Sequence, residues 1–177
     1  RQTYSYSGDI KPILDQKCIA CHACYDAPCQ LKLTSSEGLL RGATTKPVYD
    51  GGRISSADPT RLFIDAQGQA EWRQKGFYPV LGSGDGEGED SVIQRMLELK
   101  QQHPLPPGDI LPDSFDLGLD RDQQCPKPEE FDSYATNYPL WGMPYGFPGL
   151  GSQKQADLQA WLSQGAPGVQ SAAGGAL

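Results

Sequence analysis

The chain has 177 residues, 37% of them hydrophobic, and a formal net charge of −7 from 22 acidic and 15 basic side chains. That length fits one domain with a buried core, and 21 glycines with 15 prolines point to a loop-rich globule. No basic stripe is present to neutralise phosphates, which excludes nucleic acid as a partner, and no apolar run approaches the roughly 20 residues of a membrane span.

Ser7 followed by Gly8-Asp9-Ile10-Lys11-Pro12 predicts a capped helix start with proline in the tolerated first turn. Ile10, Ile13 and Leu14 share one face, and their stripe runs into Cys18-Ile19-Ala20-Cys21-His22. This Cys-x-x-Cys-His spacing is the one that attaches a c-type haem: two thiols form thioethers to the vinyl groups while the adjacent imidazole turns onto the iron. Cys24 and Cys29 open other readings. A bacterial ferredoxin cluster wants its fourth cysteine three residues on and before proline, whereas Cys29 comes after four and precedes Gln30. A zinc site from Cys18, Cys21, His22 and Cys24 would need adjacent residues as tetrahedral partners and lacks the usual second pair. One covalently bound haem c is therefore expected over a metal site or a plain disulfide knot.

Setting Cys18 and Cys21 aside leaves Cys24, Cys29 and Cys125 for one disulfide and one thiol. A bridge from Cys125 to either of the others would constrain the unfolded chain more than a local 24–29 bridge; the spacing does not choose between them. Haem attachment of this kind needs an exporting compartment in bacteria, and an oxidising periplasm would permit that disulfide.

Residues 23–33 read as an irregular connection. Thr34-Ser35-Ser36-Glu37 forms a capping box ahead of a short helix over 38–41, and Gly42 fits a left-handed cap. Asp50-Gly51-Gly52 is a turn, and Asp58-Pro59 places a cap and a first-turn proline ahead of Leu62, Phe63 and Ile64. Trp72, Phe77 and Tyr78 are expected to pack, with Gly76 and Pro79 breaking any long helix. Residues 82–90 alternate glycine with acids and read as a solvated loop. Val92, Ile93, Met96, Leu97 and Leu99 mark the clearest amphipathic helix, ended by His103-Pro104. Residues 109–127 are turn-rich, with Phe115, Leu117 and Leu119 alternating as in a short strand. Pro128-Glu129-Glu130 begins another helix with acids in its first turn, and an aromatic, proline-stiffened loop spans 141–150. The last helix starts at Ser152, is boxed by Gln155, buries Leu158, Trp161 and Leu162, and stops at Gly165. This divides the chain into a helical domain over 1–167 and a Gly/Ala-rich tail or linker over 168–177.

A haem held by His22 has one open face. Met96 lies on an apolar helical stripe and reads as core, and His103 is the alternative sixth ligand. Met143, between Gly142 and Pro144, is the expected one, because a thioether on a stiff loop reaches the iron with little entropic cost. The fold expected is mainly α, a cytochrome c-like helical domain around one covalently bound haem with long irregular insertions.

The layout resembles single-haem cytochrome c domains in the run before the haem motif, the Met143 loop and the closing helix. A narrower resemblance rests on residues 21–33 (CHACYDAPCQLKL), 59–66 (PTRLFIDA), 75–81 (KGFYPVL) and 141–146 (WGMPYG). These look like the haem-bearing N-terminal region of bacterial fatty acid cis/trans isomerases, over about Ser5 to Pro167. The resemblance implies a periplasmic, haem c-containing enzyme that converts cis double bonds in phospholipid acyl chains to trans, without ATP or a diffusible redox cofactor. Such chains are several times longer, so the resemblance also implies that this is a fragment or an isolated relative. Trp141, Tyr145 and Phe147 are of the amphipathic and apolar type that meets a membrane interface and its acyl chains. The alternative function is a one-electron carrier that works with a redox partner protein and catalyses nothing.

Overall fold

The computed structural model describes residues 2–48, 57–82, 91–106, 108, 111–113, 115–118 and 123–169. Among these the expected mainly α architecture holds, with six α-helices and no strand; Ala43 and Tyr78 alone form an isolated antiparallel bridge. A π-helical turn, Tyr6–Ile10, leads into α1 (Lys11–Lys17). Its cap is Ser5 and not the expected Ser7. Ser5 Oγ accepts from the Gly8 amide at 3.1 Å while the Asp9 carboxylate accepts from the Ser5 amide at 2.7 Å, so two orphan donors are satisfied reciprocally.

The short helix α2 (Ser36–Arg41) is capped by Ser35, one residue later than the expected box, with Ser35 Oγ 3.2 Å from the Gly38 amide. Glu37 then sits too early to reach back to the cap and meets the Ser36 hydroxyl instead. The helix start expected after Asp58-Pro59 does not form. Arg61 clasps Asp65 through its amide and its guanidinium at 2.6 and 2.9 Å, which closes a turn over 62–65 with Phe63 left-handed. Helix α3 (Gly68–Gln74) follows and breaks at Gly76 as predicted.

Helix α4 (Val92–Gln102) is the predicted amphipathic one, capped by Ser91 and ended at His103. A 3-10 turn over Pro128–Glu130 feeds α5 (Phe131–Asn137), and α6 (Ser152–Ser163) starts and stops where predicted. Gln155 does not box α6. It is buried and donates from Nε2 to the Leu97 carbonyl at 3.1 Å, tying α6 to α4. Residues 115–118 form no strand; the Phe115 ring lies 4.9 Å from that of Tyr145. The turn expected at 50–52, Leu119 and residues 83–90 of the glycine-acid loop lie outside the described residues.

The two faces of α4 serve two clusters. Leu97 joins Ile10, Ile13 and Leu14 of the N-terminal helices with Leu158, Trp161 and Leu162 of α6. Val92, Met96 and Leu99 join Tyr78, Val80, Phe131 and Tyr134. Leu31 and Ile93 pack against both clusters and mark their seam. Burial of this kind is worth about 25 cal/mol per Å² of apolar surface and holds the helices, none of which is long enough to be stable alone. Val169 is 0% exposed in the first cluster, so the packed body runs two residues past the expected boundary at 167.

Candidate functional site

Cys18 follows the last turn of α1, and its carbonyl accepts from the amides of Cys21 and His22 at 3.2 and 3.0 Å. The motif is thus a tight turn that sets both thiols and the imidazole on one short loop. His22 is half-buried, with Nδ1 3.0 Å from the Leu31 carbonyl. A carbonyl can only accept, so Nδ1 carries the hydrogen and Nε2 keeps a lone pair. Burial pushes the His22 pKa down, against the opposing effect of the Leu31 bond. The neutral imidazole, the form that binds a metal, is therefore the favoured one.

Of the three remaining cysteines, Cys29 and Cys125 form the disulfide, across 96 residues of sequence. The long-range bridge is realised, Cys24 is the leftover thiol, and Cys18 and Cys21 are both free. Burial, with Cys21 adding to it, pushes the Cys18 thiol up to about 11. The disulfide removes Cys29 as a cluster ligand, and the described residues contain no group of three or more His, Cys, Asp or Glu suited to a bare ion. The donors that the motif supplies, the Cys18 and Cys21 thiols and the oriented His22 imidazole, would suit thioether attachment of a haem with His22 toward its iron.

Residues 28–31 hold the carbonyl that orients His22. Cys29 and Gln30 are both left-handed, at φ 56° and 51°. Three successive carbonyls are engaged: Cys29 with the Thr44 amide at 2.9 Å, Gln30 with Arg41 Nη2 at 2.7 Å, and Leu31 with His22. Arg41, at 1% exposure, also donates from Nη1 to the Thr60 carbonyl at 2.8 Å, while Trp72 and Phe77 stack on it at 5.1 and 4.8 Å. Burial brings its pKa down to about 10, and its Nε has no partner among the described residues.

Met143 is half-buried against the second cluster, with its amide 3.1 Å from the Met96 carbonyl. Its loop lies against α4. A Cβ at Gly142 would stand 2.5 Å from the Lys100 amide nitrogen, and Lys100 Nζ donates to the Phe147 carbonyl at 3.0 Å. The Tyr134 hydroxyl holds the Trp141 carbonyl at 2.6 Å, and the Trp141 and Tyr138 rings stack at 4.2 Å. Leu31 links the two expected ligands: its carbonyl accepts from His22, and its side chain packs on the cluster that carries Met143. Met96 is core. His103 is exposed at the end of α4, about 10 Å beyond Met96 at 1.5 Å per residue. Phe147 and Leu117 are each 60% exposed, whereas Trp141 and Tyr145 are half-buried.

Sequence reasoning missed Arg41, Lys100 and Arg73. Their partners are backbone carbonyls, which leave no trace in residue identity. Two clefts lie among the described residues. One, of about 280 Å³, lies between α2, α3 and the 79–82 segment; the other, of about 510 Å³, lies beside Cys125 and α5. Neither is lined by Cys18, His22 or Met143.

The fold and site define a mainly α domain that presents free thiols, an oriented neutral imidazole and a methionine loop. Residues 57–174, two thirds of the chain, match the family model described as fatty acid cis/trans isomerase, and the chain belongs to that family. The matched span begins after the Cys18–His22 motif and takes in α3 to α6 and Met143. No curated protein and no solved structure matches the chain. Membership of that family makes the chain a fatty acid cis/trans isomerase.

Proposed function

We propose that the chain is the haem c-bearing part of a periplasmic isomerase that converts cis double bonds to trans in the acyl chains of membrane phospholipids. Cys18 and Cys21 would be the attachment thiols, and His22 and Met143 the side chains that would hold the iron. The observation that carries the haem assignment is the His22–Leu31 bond beside two thiols that the disulfide leaves free. The family assignment favours isomerisation over one-electron exchange with a redox partner protein. An oxidising periplasm accords with the Cys29–Cys125 bridge.

A haem bound here supplies an electron-poor iron and conjugated edge, which lower the π-bond order of a nearby alkene with no net electron transferred. The chain's residues supply the rest. Leu31 fixes the tautomer and plane of His22, and α4 holds the Met143 loop through Met96 and Lys100. Phe147 and Leu117, exposed beside Trp141 and Tyr145, offer apolar contact with a lipid surface. That contact must overcome the long-range repulsion of a −7 chain by anionic lipid.

Absorption and magnetic circular dichroism of the ferric and ferrous protein, repeated for Met143→Ala, test the ligand set. A methionine–iron charge-transfer band that vanishes in the variant is expected. A wild type that takes up no haem sinks the assignment, and a band that survives Met143→Ala sinks Met143 as ligand. Conversion of cis-unsaturated phospholipid vesicles, read by chromatography of the released acyl chains, tests the activity itself.

A further inference from the structure

We propose that the turn over 61–66 docks on an anionic lipid surface, into which it inserts Phe63 and Ile64. The inference needs neither the haem nor the isomerase chemistry proposed above. Phe63 and Ile64 are 62% and 63% exposed. The residues flanking them are anchors: Leu62 and Ala66 are buried with Trp72 and Phe77 in a small cluster of their own. Arg61 closes the turn on Asp65 through its amide at 2.6 Å and through Nε and Nη2 at 2.9 and 3.0 Å. Gln67 Nε2 donates to the Phe63 carbonyl at 3.3 Å. The turn is thus tied at its base while both apolar side chains stand in solvent. Phe63 also sits at φ 71°, a left-handed conformation that a bulky side chain adopts only at a cost in stability. Its exposed ring returns little to the fold, and glycine or asparagine would suit the turn better. A strained backbone that presents an apolar ring to water points to a partner outside the chain.

Charge decides which partner. Of the chain's 15 cations and 22 carboxylates, residues 41–82 hold six and four, which leaves nine and eighteen for the rest. Cationic groups lie beside the turn. Asp65 and Asp58 each answer one of them, Arg61 at 2.9 Å and Lys75 at 3.2 Å, and Glu71 accepts from the Gln67 amide at 2.7 Å. Exposed Lys46 and half-buried Arg73 pair with no carboxylate among the described residues. Lys46 Nζ donates to the Lys75 carbonyl at 3.0 Å, and Lys75 Nζ to the Pro59 carbonyl at 3.1 Å, so the two lysines lead to the base of the turn. An apolar tip flanked by cations matches the acyl boundary and the phosphates of an anionic bilayer. Exposed Phe147 and Leu117 lack this setting, since Leu117 follows Asp116. In about 0.1 M salt, charges more than about 10 Å apart are largely screened. A surface touching the turn therefore meets the cations beside it rather than the net charge of −7.

The test is co-sedimentation of the purified protein with vesicles of phosphatidylglycerol and phosphatidylcholine in equal parts, against vesicles of phosphatidylcholine alone. Tighter binding to the mixed vesicles is expected, weakening as salt rises from about 0.1 to about 0.5 M. Phe63→Asn should weaken it about tenfold, the effect of one aromatic side chain leaving an apolar environment. Its unfolding midpoint should be unchanged or higher, because asparagine tolerates the left-handed conformation. Lys46→Gln should weaken binding to the mixed vesicles alone. No binding to either vesicle, or binding that Phe63→Asn leaves intact, overturns the proposal. Binding to the mixed vesicles that grows with salt overturns it too, since a face dominated by carboxylates would behave in that way. Loss of binding in Phe147→Ser, with Phe63→Asn unaffected, moves the contact to the 141–150 loop. A dimer in analytical ultracentrifugation that Phe63→Asn converts to monomer overturns the lipid assignment in favour of a second copy of the chain. None of these readouts requires haem uptake or isomerisation, so failure of the docking and failure of the proposed function are separately visible.

Discussion

Gly142→Ala tests how tightly α4 holds the methionine loop. The new Cβ would stand 2.5, 2.8 and 3.0 Å from the amide nitrogen, Cα and Cβ of Lys100. These are backbone and first side-chain atoms of a helix, so no rotamer change relieves them. Restoring an ordinary 3.4 Å contact needs the loop and helix to part by about 0.9 Å. The 3.1 Å bond from the Met143 amide to the Met96 carbonyl would then stretch to about 4 Å, beyond hydrogen-bond range. Overpacking of this kind costs about 1 to 3 kcal/mol. A loss of about 2 kcal/mol lowers Tm by about 4 to 8 °C in a domain of this size. Thermal unfolding followed by circular dichroism reads the shift. Gly151→Ala is the control, because nothing lies within 4 Å of its Cβ position, and a change below about 1 kcal/mol is expected there. In the haem-loaded protein the methionine–iron band should weaken in Gly142→Ala. A Gly142→Ala protein as stable as wild type, with that band intact, would refute the reasoning.

Removing the Cys29–Cys125 bridge with Cys29→Ser should cost about 2 to 5 kcal/mol, since the bridge closes a loop of 96 residues. Urea midpoints with and without reductant check it, and an unchanged midpoint would show that the bridge does not constrain the unfolded chain. In haem-free protein, Cys18 should react slowly with iodoacetamide at pH 8 and about tenfold faster per pH unit up to about 11, because burial keeps its thiol protonated. Mass spectrometry of the labelled peptides would contradict this if Cys18 reacted at pH 8 as fast as exposed Cys24. Ser91→Ala should lose about 1 to 2 kcal/mol, the worth of a helix cap. Its Oγ both accepts from the Gln94 amide at 3.2 Å and donates to the Val80 carbonyl at 3.0 Å. Denaturant unfolding of the variant with no shift in midpoint would count against that pairing.

Much of the helical layout was legible, for local reasons. Helix α4 shows a clear apolar face, and α6 buries Leu158, Trp161 and Leu162 at helical spacing; both end at residues that cannot continue them, so their limits are legible locally. Caps were harder, because Ser5 and Ser7, or Thr34, Ser35 and Ser36, offer several hydroxyls and the backbone selects one. Asp58-Pro59 misled because aspartate and proline open turns as readily as helices, and Arg61 closing on Asp65 decided between them. Gln155 was spoken for by α4, a tertiary partner invisible to a local box. The three spare cysteines were evident, but their pairing depends on Gln124-Cys125 reaching residue 29 across the fold.

The orientation of His22 shows how far such tertiary control extends. Two consecutive left-handed residues without glycine cost of order 1 to 3 kcal/mol each and persist only where their surroundings over-determine them. Here Cys29 is tied by its disulfide and by Thr44, and Gln30 by Arg41, by the Thr60 hydroxyl and by the Lys46 carbonyl, at 3.0 Å from its Nε2. The left-handed pair turns the Leu31 carbonyl onto Nδ1 of His22, at the start of the chain's second cluster. The direction of the free Nε2 lone pair is therefore set by Cys125, Arg41 and Thr60, none of them near the Cys-x-x-Cys-His motif in sequence. Thr60 and Cys125 lie inside the span shared with the isomerase family although the motif lies before it, so the family region supplies part of the scaffold that aims the imidazole.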